Sequence, residues 1–123
     1  MHILAMIFTT LVALEHIYIM ILEIFFSTST VAQKTFGISK KELNNPHIKN
    51  LFANQGLYNG FLAAGLFWGL FFMTSPYDIM IQLFFLTCII IAAIYGAFTV
   101  HIGILLKQGV PAMFAFLCLI GSM

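Results

Sequence analysis

Four apolar stretches divide the chain: Ile3–Phe26, Leu51–Met73, Ile79–Ile102 and Leu105–Met123. Each approaches the ~20 residues that an α-helix needs to cross ~30 Å of hydrocarbon. The pattern predicts an all-α polytopic membrane protein, with four transmembrane helices in a compact bundle and a single domain over residues 1–123. Turn and cap residues set the ends. Asn45-Pro46 has the form of an N-cap followed by proline at the first helical position, and Ser75-Pro76-Tyr77-Asp78 repeats it with Asp78 as the reciprocal cap. The predicted spans therefore cover about 3–26, 46–73, 76–102 and 105–123. Gly109 and Pro111 fall near the start of the last span, where a kink or a late start at Val110 is expected.

The only sizeable polar segment, Ser27 to Asn50, holds Lys34, Lys40, Lys41 and Lys49, with a connecting loop at 27–45. Lys107 lies between spans three and four, whereas Thr74–Asp78 has no lysine. With four spans, the lysine-bearing loops share one side of the membrane. The positive-inside rule places them in the cytoplasm and both termini outside. Ser39-Lys40-Lys41-Glu42 has capping-box spacing, and Phe36, Ile38, Leu43 and Ile48 could lay a short helix against the headgroups. A solvated connector with interfacial lysines is the alternative. Trp68 and Tyr77 suit an outer aromatic belt.

Composition excludes several classes. A soluble domain of 123 residues that is 62% hydrophobic and 7% charged could not hide its apolar surface. A net charge of +1, with five lysines and no arginine, gives no basic stripe for phosphates, so no nucleic-acid partner is expected. Cys88 and Cys118 lie inside apolar runs without a CxxC partner and read as small buried hydrophobes. The first segment lacks a basic leader and a small-residue cleavage site, and it carries charged groups, so it is read as a permanent span.

Those charged groups are the candidate chemistry. Glu15-His16 sits mid-span, where an ionisable side chain costs at least a few kcal/mol and so points to function. At 100° per residue His16 and Glu23 nearly eclipse, with Glu15 at the border of their arc. On the second span Gln55, Tyr58, Asn59 and Leu62 share a face, with Asn54 at its border, and Tyr95 lies at a matching depth on the third. Together these residues read as a polar funnel open to the cytoplasm. A carboxyl at Glu15's depth is expected to keep its proton unless a cation or several donors meet it, which makes it a natural proton or cation site. Asn54, Gln55 and Asn59, taken singly, read more often as interhelical hydrogen-bond glue. His101 reads as interfacial. No metal or cofactor is expected, because Glu15, His16 and Glu23 lack the i,i+3 and i,i+4 spacings of a helical chelate.

Small residues predict how helices close. Gly56, Gly60 and Ala64 form one row, Gly65 and Gly69 a second, and Ala92, Gly96 and Val100 a third. One row could pack within the protomer and another against a second copy as a homodimer, although a single bundle could use both.

The strings from Leu14 to Glu23 (LEHIYIMILE), from Ala53 to Gly65 (ANQGLYNGFLAAG) and from Ala93 to Gly96 (AIYG) resemble the small bacterial integral-membrane family catalogued as domain of unknown function thirteen-oh-four. The resemblance covers nearly the whole chain, with a looser match in the last segment. It implies a four-span protein of the bacterial cytoplasmic membrane, and it carries no activity or substrate. A second likeness, to the small multidrug resistance exporters, is architectural only: length, four spans and a glutamate in the first helix.

Three functions compete. The favoured one is a cytoplasm-facing intramembrane pocket that binds or transports a small polar or cationic molecule or a proton. In it Glu15 is the titrating group, and Glu23, Asn54, Gln55 and Asn59 form the wall. The alternatives are an intramembrane enzyme acting on a lipid or isoprenoid, with His16 and a carboxylate as acid and base, and a structural membrane subunit.

Overall fold

Nothing interrupts the helical backbone in the first apolar run: α1 (His2–Phe25) contains neither glycine nor proline. In the computed structural model, which describes residues 2–123, five further α-helices follow. These are α2 (Thr30–Phe36), α3 (Lys40–Leu43), α4 (Pro46–Phe72), α5 (Tyr77–Thr99) and α6 (Val110–Ile120), with a π-helical segment at Leu105–Gly109. The fold is all-α, and no strand occurs among the described residues. Two helices, α1 and α5, are long and apolar enough to cross a membrane. At 27 residues α4 has the length, but its first half carries His47, Lys49, Asn54, Gln55 and Asn59. The last apolar helix, Leu105–Ile120, is shorter than a typical span.

Each long apolar helix has two opposed stripes. Along α1, Ala5, Thr9, Val12, His16, Ile19 and Glu23 are buried at alternating spacings of four and three, while Ile7, Leu11, Leu14, Tyr18, Ile21 and Phe25 are exposed in the same rhythm. Along α5, Gln82, Leu86, Ile89 and Ala93 are buried while Met80, Phe84, Ile91 and Phe98 face outward. A continuous apolar stripe turned outward on a helix of this length is a surface that needs covering.

The helix ends follow the sequence in part. At α4, Asn45 Oδ1 accepts the His47 N–H at 2.9 Å ahead of Pro46, as predicted. At α3 the capping box is complete: Ser39 and Glu42 exchange side-chain-to-backbone bonds. At α5 the predicted reciprocal cap is absent. Pro76 occupies the cap position with helical backbone and no side-chain bond is made. The Tyr77 and Asp78 N–H groups instead donate to the Thr74 carbonyl at 3.0 and 3.3 Å, which leaves the Ser75 hydroxyl neither of them to cap. Before α6 the outcome is a π-helical segment, in which the Val110 N–H reaches back five residues to the Leu105 carbonyl. The wider turn accommodates Pro111, which has no N–H and whose ring would crowd an α-helical neighbour.

Packing divides the chain into two compact units. One holds the chain up to Glu15 together with Leu62–Met123. Its core contains Ala5, Val12, Ala13, Leu66, Leu86, Ile89, Ala112, Ala115 and Leu119. Within it Gly65 lies against the Phe85 ring, Gly69 against Gln82 and the Asp78 carbonyl, and Gly109 against Ala93. The other unit is His16–Phe61. There Gly56 lies against Glu23, Ile24 and the Met20 carbonyl, Gly60 against the Met20 thioether, and Phe36 against Phe52 with centroids 5.2 Å apart. The glycines of both rows predicted on the second span thus meet neighbours of the same chain. Ala92 and Val100 of the third row are exposed.

Candidate functional site

Two of the predicted residues, Glu23 and Asn59, are brought together inside the His16–Phe61 unit. Seven residues separate His16 from Glu23, nearly two turns, so both fall on the buried stripe of α1, and each is only 1% exposed. Opposite Glu23, α4 presents Gly56, where a Cβ would lie 3.0 Å from the Glu23 Cβ and 2.9 Å from Ile24 Cγ1. That absent side chain lets the helices approach closely enough for a short amide one turn later to cross between them. The Asn59 Nδ2 donates to Glu23 Oε2 at 2.9 Å and to the Gln55 carbonyl at 3.2 Å. The second bond, four residues back along α4, orients the amide for the first.

The remaining predicted residues lie elsewhere. Asn54, Gln55 and Tyr58 are exposed, and Gln55 joins the pair through its backbone carbonyl rather than its side chain. The Tyr58 ring packs near Phe61, with centroids 6.1 Å apart. The side of α4 turned to α1 is therefore the glycine side, with Asn59 at its border, because closest approach occurs where no side chain intervenes. Glu15, half-buried, and Tyr95, exposed, belong to the other unit. The exposed His101 Nδ1 accepts the Gly103 N–H at 2.9 Å, closing the turn after α5.

Sequence reading passed over three buried polar residues, Thr9, Ser27 and Gln82. Spacings of three, four, three and four run from Thr9 through Val12, His16, Ile19 and Glu23, and that rhythm could have found it. Gln82 sits at the head of the row continued by Leu86, Ile89 and Ala93.

The chemistry available at Glu23 follows from its surroundings. A neutral amide supplies a hydrogen bond but no charge, so a buried carboxylate there gains neutrality by taking a proton or meeting a cation. Among the described residues no group of three or more His, Cys, Asp or Glu side chains could hold a metal ion, and Cys88 and Cys118 are free thiols.

Comparison with known proteins gives a family without an activity. The family described as "Protein of unknown function (DUF1304)" matches residues 10–120. The chain is similar to the uncharacterized protein YpaA of Lactococcus lactis subsp. lactis (strain IL1403), with 40% identity over 117 residues that cover 95% of this chain and 97% of that protein. No solved structure matches the chain.

Proposed function

We propose, from the premise that the chain belongs to the DUF1304 family, that it is a four-span protein of the bacterial cytoplasmic membrane whose intramembrane polar pocket binds or transports a proton or a small cationic or polar molecule. The pocket opens to the cytoplasm, and both termini lie outside. Supporting the membrane reading are the lengths of α1 and α5 and their outward apolar stripes. The observation that carries the site is the Glu23–Asn59 bond at 2.9 Å, a carboxyl buried on an apolar helix with a neutral amide as its side-chain donor. A purely structural polar contact would gain as much from two amides and would avoid burying a charge, so a carboxyl in this position favours proton or cation exchange. Glu15, eight residues earlier on the same helix, serves as a second titrating group, and Asn54, Gln55 and Tyr58 flank the Glu23–Asn59 pair.

The test uses purified protein in liposomes loaded with a pH-sensitive dye. A potassium diffusion potential drives protons, and tetraphenylphosphonium serves as a probe cation. Wild-type protein is expected to pass or bind one of the two. Glu15→Gln and Glu23→Gln, which keep volume and hydrogen bonding, are expected to lose that signal while melting as wild type does. Wild-type vesicles indistinguishable from protein-free ones toward both probes, or full signal in both variants, would return the polar residues to a structural role.

A further inference from the structure

At the start of α5, two oxygen atoms with no donor face the protein interior. Gln82 is 5% exposed, and its Nε2 donates to the Asp78 carbonyl at 3.1 Å. That bond commits the amide nitrogen and leaves Oε1 as the free end. Among the described residues, neither the Gln82 Oε1 nor the Asp78 Oδ1 has a hydrogen-bond partner, although both atoms are buried. Four residues apart, they stand on the same side of α5, one turn above the other.

The ordinary role of an aspartate in the first turn is to accept backbone N–H groups at the helix start. Here no side-chain cap bond is made, and the Tyr77 and Asp78 N–H groups are already taken by the Thr74 carbonyl. The sequence from Thr74 to Leu83 contains no lysine, arginine or histidine to pair with the carboxylate. Gly69 of α4 covers this side, and a Cβ there would lie 2.8 Å from Gln82 Cγ and 3.0 Å from the Asp78 carbonyl oxygen. The glycine therefore leaves room for the Gln82 side chain beside the Asp78 carbonyl.

Buried acceptors left unmatched are costly, and here they are the Oε1 of the buried Gln82 and the inward Oδ1 of the half-buried Asp78. We propose that Asp78 and Gln82 hold one small monovalent cation, an alkali-metal or ammonium ion. The ligand atoms are oxygens, which suit hard cations, and one carboxylate is neutralised by a single positive charge. A divalent ion would leave an uncompensated charge in an apolar setting. This site is separate from the Glu23–Asn59 pair and does not rest on the function proposed above.

The test measures melting temperature of the purified protein in a nonionic detergent. Sodium, potassium or ammonium chloride replaces N-methylglucamine chloride at constant ionic strength. A saturable rise with one or more of the small cations is expected, because a ligand that binds only the folded state stabilises it by mass action. Asp78→Asn keeps the shape of the side chain, and Gln82→Met keeps most of its volume. Each is expected to lose the saturable rise, while Glu42→Gln, at an exposed carboxyl outside α5, retains it. The ion that acts at lowest concentration separates alkali-metal from ammonium recognition. A melting temperature equal in all four salts, or a rise that survives in both Asp78→Asn and Gln82→Met, would overturn the assignment.

Discussion

The Asn59 amide donates to the Glu23 carboxylate across 2.9 Å, joining α4 to α1 through side chains thirty-six positions apart in sequence. Asn59 reaches that far because Gly56, one turn earlier on α4, lets its backbone close on the Glu23 Cβ. The same glycine that permits packing thus delivers the donor to a buried acid.

Removing the donor should cost more than removing the pair. Asn59→Leu leaves the Glu23 carboxyl buried without its amide, and loss of about 1–3 kcal/mol is expected. Adding Glu23→Met to that variant removes the unmatched acid, and most of the loss should return. Reversible unfolding in mixed micelles measures both. Equal destabilisation in the single and double variants would mean that the bond contributes little.

Glycine substitutions should grade by what the added methyl meets. At Gly56 it would press on Ile24, the Glu23 Cβ and the Met20 carbonyl, a backbone atom at 3.2 Å that cannot step aside. At Gly60 it meets the Met20 thioether, whose flexible chain can swing away. Gly56→Ala should therefore lower the melting temperature more than Gly60→Ala, and it should weaken the Glu23–Asn59 bond as well. The reverse order would show that the two helices separate easily at Gly56.

Much of this was legible in the residues because helical periodicity is local. The buried arc of His16, Ile19 and Glu23 follows from spacing alone, as do the Asn45 and Ser39 caps. What spacing cannot supply is the rotation of one helix toward its neighbour. Helical phase grouped the polar Gln55 and Tyr58 with Asn59 on one face of α4, whereas closest approach is governed by the missing side chains of Gly56 and Gly60. The α5 start was misread for a similar reason: a backbone carbonyl, that of Thr74, took the Tyr77 and Asp78 N–H groups that the Ser75 hydroxyl would have capped. Backbone competitors have no signature in residue type.

The Ser39–Glu42 box should carry a small pH dependence. Glu42 Oε2 accepts the Ser39 hydroxyl at 2.7 Å and the Ser39 N–H at 3.1 Å, and these bonds hold its carboxyl below the usual glutamate range. A lowered value in the folded state means stabilisation that is present above the unfolded-state value and is lost as pH falls through the folded one. Carbon-13 NMR of the Glu42 carboxyl should show the lowered titration, and Ser39→Ala should move it upward. An unchanged titration in that variant would assign the shift to some other partner.

Membrane topology sets the orientation of the proposed pocket. Four lysines lie between α1 and the early turns of α4, and Lys107 lies in the π-helical segment, whereas the α4–α5 turn has none. If four spans cross the membrane, charge bias puts the first two segments in the cytoplasm and Ser75 outside. With Cys88 and Cys118 replaced, a cysteine at Lys40 should resist an impermeant maleimide in intact cells, and one at Ser75 should react. Labelling at Lys40 with protection at Ser75 would invert the protein and turn the Glu23 end of α1 outward. Protection at both would mean that these two turns lie on one side, which two spanning helices and a shallow α4 would produce. The relation of α4 to the membrane is open to exactly this measurement because its polar first half and apolar second half pull in opposite directions: His47, Lys49 and Asn54 favour the interface, while the run from Phe61 to Phe72 favours hydrocarbon.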